Sequence, residues 1–337
     1  MKFLVIAPQG LGDALEATPV VKALKTWDRH SIVEVAVLRS GPLQLFSALD
    51  GYVDRVIHLP FWELGARAFA MALVKNAGFR RYDASFLMYP AARPEYHVLA
   101  ALVGAKKRYA HRYFDPTFTN ALWLETNLVE ISAEHNVLRN MDLLAAAGIE
   151  VYRPTAYVVP PAWRDGGDRN VDRIAVHVGT TAHDGLDRRR WSGENFVNLI
   201  QRLRARGLRV WLVSGPSERD VTKRVAEASH AEGIVEGELT EVARFLAACG
   251  GVIANDSGIA HLAAGVGTPV LAIFGPTPVQ HGPFGEHAVA FRPSHCPPCF
   301  DPRLLNTDCA LDIGYACLHR DTKVVDVEAR FLSLIGA

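Results

Sequence analysis

The sequence lacks an excess of charge of either sign, a long apolar run and a complete dinucleotide-binding glycine signature. Each absence removes a class of function. Lysine plus arginine (36) equals aspartate plus glutamate (36), so the formal net charge is zero. Binding nucleic acid through bulk electrostatics needs a basic footprint, and only local clusters such as Lys106-Lys107-Arg108 are present. No segment approaches the roughly 20 apolar residues that cross a bilayer. The N-terminus, Met1-Lys2-Phe3-Leu4-Val5-Ile6-Ala7, has too short an apolar run for a signal peptide and no processing site. It reads as a first strand, and a cytoplasmic protein is expected. The glycines that follow, Gly10 and Gly12, lack the third glycine of the dinucleotide fingerprint. Cysteine is scarce, with five residues, four of them late in the chain.

What is present is an alternation of strand and helix patterns. At 337 residues the chain is long enough for two domains, each with its own core. Strands are expected at residues 3–7, 32–38, 53–59, 84–89 and 108–113. A helix is expected over 20–27, with Thr18 as N-cap and Pro19 at its first position. Another is expected over 134–147, ended by Gly148. Residues 152–170 hold three prolines, two adjacent glycines and no periodicity, and read as a linker. The alternation then restarts, with strands at 174–178, 210–214, 234–235, 252–254 and 270–274 and helices over 192–207 and 217–229. The expected organisation is a first α/β domain at 1–151, the linker at 152–170 and a second α/β domain at 171–337. Two such repeats imply two parallel sheets, each covered by helices on both faces. Ligands bind outside the carboxyl ends of such strands, so a cleft between the domains is the expected place for chemistry.

Three loops fall at strand ends. The most informative is Asn255-Asp256-Ser257-Gly258-Ile259-Ala260-His261, between two apolar runs. It reads as a buried strand, a polar turn and a helix start whose free N–H groups and dipole suit a diphosphate. The plainer reading makes Ser257 an N-cap and His261 a helix-face residue. A second loop runs from Gly179-Thr180-Thr181 to Arg188-Arg189-Arg190-Trp191, pairing hydroxyls with guanidinium groups suited to phosphate. The third, Pro8-Gln9-Gly10-Leu11-Gly12-Asp13, puts an acid beside a helix start, where it serves as a base or simply as a helix-capping charge. Together they suggest a nucleotide diphosphate held by the second domain, with an acid supplied by the first.

The order and spacing of several motifs resemble glycosyltransferase family 9, the ADP-heptose:lipopolysaccharide heptosyltransferases. They are Gly12-Asp13 with Thr18-Pro19, Gly104-Ala105-Lys106-Lys107-Arg108, Gly179-Thr180-Thr181, Arg189-x-Trp191, Asn255-Asp256-Ser257-Gly258-x-x-His261 and Phe274-Gly275-Pro276-Thr277. The resemblance implies a GT-B fold, two Rossmann-like parallel-sheet domains facing a central cleft, and inverting transfer from a nucleotide-diphosphate sugar without a catalytic cofactor. It makes Asp13 the general base and Thr180, Thr181, Arg189, Asp256, Ser257, Gly258 and His261 donor-binding residues. Where the family usually has lysine, this chain has Arg189, preceded by a longer insertion at residues 182–188. The acceptor implied is a lipopolysaccharide core or related glycan. Gly12, Lys107 and Arg108 are placed on its side, and Arg39, Arg93, Lys106 and Arg112 are further basic candidates. Peripheral contact with the cytoplasmic face of the inner membrane goes with that acceptor.

The late cysteines, Cys296, Cys299, Cys309 and Cys317, are spaced C-x2-C-x9-C-x7-C within residues 295–319. In a reducing compartment this pattern favours a structural metal, zinc first and iron second, over free thiols or disulfides. Relatives in the family often carry a similar segment. His295 and His319 flank it, and Cys249 reads as a buried thiol. Two other functions compete with transfer. A nucleotide-sugar epimerase or hydrolase would need acid/base groups such as His183, Asp184 and His261 in the donor pocket. A non-catalytic nucleotide-sugar-binding assembly protein would need none.

Overall fold

Two parallel sheets organise the chain, one in each of two units that divide between Pro160 and Pro161. The computed structural model describes residues 1–60, 82–180, 190–293, 296–300, 309 and 311–337. The first sheet comprises β1 (Lys2–Ala7), β2 (Ile32–Val37), β3 (Arg55–His58), β4 (Ala84–Leu87), β5 (Lys107–Arg112) and β6 (Asn127–Glu130). Its spatial order is β3-β2-β1-β4-β5-β6. The second comprises β7 (Asn170–His177), β8 (Arg209–Val213), β9 (Gly233–Val235), β10 (Cys249–Asn255), β11 (Val270–Ile273) and β12 (Ala288–Phe291). Its order is β12-β11-β10-β7-β8-β9. Counted from its own first strand, each sheet has the order 3-2-1-4-5-6, the doubly wound Rossmann arrangement. Central strands are covered on both faces, which is why Phe3-Leu4-Val5-Ile6 and Val252-Ile253-Ala254 are unbroken apolar runs. The edge strands β6 and β12 were not expected, because neither has a fully buried residue to mark it.

The first helix corrects the sequence reading. It spans Leu11–Trp27 and places Thr18 and Pro19 in its interior rather than at its start. Proline cannot donate the N–H that would reach Leu15 four residues back. The Thr18 hydroxyl donates to Leu15 O instead, at 2.7 Å, and accepts the Val158 N–H at 2.9 Å. The earlier start matters, because it puts Asp13 in the first turn after β1.

The segment expected as a linker is docked rather than free. Tyr157 is buried in the first unit, and Trp163 in the second. The Trp163 indole N–H donates to Thr240 Oγ1 at 3.0 Å, and Arg244 Nε donates to Ala162 O. Further along, β10 begins Cys249-Gly250-Gly251, and a Cβ on Gly251 would lie 2.7 Å from Phe331 Cζ. The bare backbone there lets the helix Val324–Ile335 seat Phe331 directly on the sheet.

His111, on β5, is fully buried against the rings of Tyr89 and Tyr113. Burial pushes its imidazole down to about 4, below the unfolded value near 6.5. The unfolded chain therefore binds this proton first, and the stability His111 provides is complete above pH 6.5 and lost as pH falls towards 4. We expect wild-type urea midpoints to fall more steeply between pH 7 and pH 5 than those of His111→Leu. Parallel curves would contradict this origin of acid sensitivity.

Candidate functional site

The topology brings the Asp256 and Thr180 loops together. Strands β7 and β10 are parallel neighbours, with His177 opposite Ala254, at the point where the strand order reverses. The residues that follow, Val178-Gly179-Thr180 and Asp256-Ser257-Gly258, therefore leave the sheet side by side. Val178 and Thr180 are buried. Thr181 and Arg189 lie outside the described residues, as do His183, Asp184 and His295.

Ser257 occupies the N-cap position of the helix Gly258–Gly265, but its side chain makes no cap bond. Its hydroxyl is buried and has no hydrogen-bond partner among the described residues. The plain capping role considered from the sequence is thus not the one it plays, and a ligand-facing role stays open. Asp256 is buried, and the Thr277 hydroxyl donates to its Oδ2 at 2.6 Å. His261 is buried one turn into the helix.

Several residues that shape this region had no role of their own assigned from the sequence. Asn255 ends β10 with no exposed surface. Its Nδ2 donates to Val178 O at 2.8 Å, and its Oδ1 accepts the Trp191 N–H at 3.0 Å. Arg190 Nη2 donates to Thr180 O at 3.1 Å, so this arginine is engaged with the protein's own loop. Glu218 lies under Gly179, where a Cβ would overlap its carboxyl group, and it also accepts the Gly215 N–H at 3.1 Å. A side chain at 179 would have to displace the Glu218 carboxyl group. His177 faces Glu218 at 4.0 Å, but burial holds its imidazole below the ordinary range. The ring is neutral near pH 7, donates through Nδ1 to Val213 O at 2.9 Å, and forms no ion pair.

The cysteine-rich segment docks onto the same strand ends. The Cys299 and Phe300 N–H groups both donate to Pro276 O at 2.9 Å, next to the Thr277 that holds Asp256. A Cβ on Gly275 would lie 2.5 Å from Leu318 Cγ, so the turn accepts Leu318 only because it is glycine. Cys317 and Cys296 are buried. Burial, then the thiol of Cys296, pushes the Cys317 thiol up to about 11. Cys309 is held below its usual range by N–H groups, first of Tyr315 and then of Ile313. Among the described residues no three His, Cys, Asp or Glu side chains are grouped to hold a metal ion. A cavity of about 340 Å³ lies between Arg190, Trp191, Ser192 and the side chains of Tyr315 and His319. It is lined by none of the predicted donor contacts, so cavity size does not mark the chemistry here.

In the first unit Asp13 sits in the first turn after β1, and its Oδ2 accepts the Gly10 N–H at 3.2 Å. The strands on either side of β1 are β2 and β4. Their following loops carry Arg39 and Arg93, each at the N-cap of a helix, Ser40–Ser47 and Pro94–Leu102. Gln9 Nε2 donates to Pro90 O at 3.0 Å and ties the Asp13 loop to the Arg93 loop. Burial raises the Tyr96 phenol, and Arg93 and Arg39 oppose that rise, so both cations and Tyr96 share this end of the sheet with Asp13. Gly12 lies in the same first turn. Lys107 and Arg108 do not join them, which corrects their placement on the acceptor side. They begin β5, in register with Ala84 and Ser85 and so with Phe3 and Leu4 at the opposite strand ends. The Arg108 guanidinium is spent on Leu124 O and Ala105 O.

Comparison with known proteins follows the same lines. The sequence profile of glycosyltransferase family 9 (heptosyltransferase) matches residues 92–307, well over half of the chain. Lipopolysaccharide heptosyltransferase 1 of Escherichia coli K12 is 34% identical over 121 residues, 35% of this chain. The chain spans only 37% of the length of that relative. Among solved structures, E. coli heptosyltransferase WaaC with ADP aligns with a TM-score of 0.73 at 20% identity, over 99% of this chain and all of that one. The iron-containing dodecameric glycosyltransferase TibC from enterotoxigenic E. coli H10407 aligns with a TM-score of 0.61 at 15% identity, over 99% and 76%. At these identities the likeness is one of fold, the GT-B pair of Rossmann-like sheets.

Proposed function

The chain belongs to glycosyltransferase family 9, and we propose that it moves a sugar from a nucleotide diphosphate with inversion. In this reading the donor is ADP-heptose and the acceptor a lipopolysaccharide core or related glycan. The observation that carries it is the buried, unpartnered Ser257 hydroxyl at a helix N-terminus, beside the loop of Thr180. Such a terminus favours an anion through its free N–H groups and dipole. Adenosine diphosphate is preferred because the neighbour WaaC is solved with ADP.

Thr180, Thr181, Arg189, Ser257 and Gly258 hold the diphosphate in this scheme, with His261 one turn behind. Asp256, which only accepts when ionised, takes a ribose or sugar hydroxyl rather than a phosphate oxygen. Asp13 removes the proton from the acceptor hydroxyl. That oxygen forms the new bond to the anomeric carbon on the face opposite the diphosphate, and the sugar–phosphate bond breaks. ADP leaves with the additional negative charge, where preorganised donors favour the transition state over the ground state. No cofactor enters, since arginine and the helix terminus carry the charge. Arg39 and Arg93 are assigned to an anionic group of the acceptor. The work is placed in the cytoplasm, with peripheral contact at the inner face of the inner membrane.

Asp13→Asn keeps an oxygen for the Gly10 N–H and removes the base. Transfer is expected to fall about 10²- to 10⁴-fold while ADP affinity stays within about twofold of wild type, less than 0.5 kcal/mol. Turnover near the wild-type rate would remove Asp13 from the base role.

A structural metal on Cys296, Cys299, Cys309 and Cys317 is the second part of the reading. As placed, the four thiols do not form a tetrahedral set, although Cys296 and Cys317 adjoin. Zinc, or iron as in the neighbour TibC, would brace the segment that docks on Pro276. Protein purified without chelator is expected to carry near-stoichiometric zinc or iron, absent from a Cys296→Ser/Cys299→Ser double variant. Metal-free wild type would end the idea.

A further inference from the structure

Asn255 is fully buried and spends both ends of its amide on the backbone at two distant points of the chain. Its Nδ2 donates to Val178 O, and its Oδ1 accepts the Trp191 N–H. Val178 is the residue before Gly179-Thr180, and Trp191 is where the chain returns to the body of the unit before the helix Gly193–Ala205. One side chain therefore fastens both ends of the loop between them to the last residue of β10. The next residues of that strand are Asp256 and Ser257.

We propose that Asn255 is the positioning residue of the donor site, holding the Val178–Thr180 segment and Trp191 at a fixed distance from Asp256 and Ser257. The inference rests on the donor reading above. Few other side chains could do this. Both bonds are made to backbone, one to an acceptor and one to a donor, and a short primary amide offers both complements. Fixing the ends of a loop removes much of the conformational freedom that a ligand would otherwise have to quench on binding. Two further contacts act on the same frame, Arg190 on Thr180 O and the Trp191 indole N–H on Thr322 O at 2.9 Å. Neither spans the two loops, so neither replaces Asn255.

The test uses the full chain and calorimetric titration with ADP, UDP, GDP and CDP. Asn255→Asp keeps the size and the acceptor for Trp191, but sets an oxygen against the Val178 carbonyl. Asn255→Ala removes both bonds. Each variant is titrated at a temperature where circular dichroism shows it folded, so that lost stability and lost affinity are read separately. A purely structural role would lower the melting temperature and leave the affinity of folded protein unchanged. The clamp predicts at least a tenfold rise in the dissociation constant for the diphosphate that wild type binds best. Should Asn255→Asp fail to fold, Asn255→Ala decides alone. If wild type binds and a folded variant binds within twofold of it, the clamp is wrong and the donor reading stands. If wild type binds none of the four, the donor reading fails and the clamp fails with it.

Discussion

Parallel strands discharge their following loops at one edge of the sheet, and the reversal of strand order at β1/β4 and β7/β10 leaves a gap there that helices do not fill. This constraint places every candidate group. In the second unit it sets Thr180 beside Asp256 and Ser257. In the first it sets Asp13 between the loops of Arg39 and Arg93. Neither grouping is local in sequence. Each follows from the hydrogen-bonded register of neighbouring strands, with core contacts such as Phe331 on Gly251 packed beneath.

On that frame, buried polar side chains do the fine placement. Thr277 orients Asp256, Glu218 supports the Gly179 turn, and Asn255 fastens the loop ends. A buried polar group without a partner costs about 1–3 kcal/mol, and among the several such atoms of the described residues the Ser257 hydroxyl is the one at a helix N-terminus beside the Thr180 loop, where a ligand would satisfy it. The cysteine-rich segment belongs to the same account. Among the described residues it packs on the Gly275–Thr277 turn and beside Trp191, so its contribution is support, whether or not its thiols bind metal.

Much of this was legible in the sequence, because both sheets announce their central strands as apolar runs and their loops as glycine, threonine and aspartate at run ends. What was missed has a physical reason in each case. The strands β6 and β12 lie at edges and carry no buried pattern. Thr18-Pro19 mimics a helix start, but the helix runs through it, with the Thr18 hydroxyl taking over the Leu15 O that proline leaves without an N–H. Lys106-Lys107-Arg108 stands out by charge, yet strand direction puts it at the wrong end of the sheet. Arg39 and Arg93 are single residues in the sequence and become a pair only through the register of β2, β1 and β4. The Asn255 side chain looked like part of a polar turn, because its two partners are 77 and 64 residues away.

If the second unit binds a nucleoside diphosphate through its β7 and β10 loops, the ligand will raise its melting temperature. The protein would be melted with ADP, UDP, GDP, CDP and ADP-heptose. A ligand at a hundredfold excess over its dissociation constant adds about 2.7 kcal/mol, which a melting curve resolves. ADP and ADP-heptose should stabilise the protein more than the others. Preference for another base would contradict the donor assignment, and no stabilisation by any of the five would contradict the site itself.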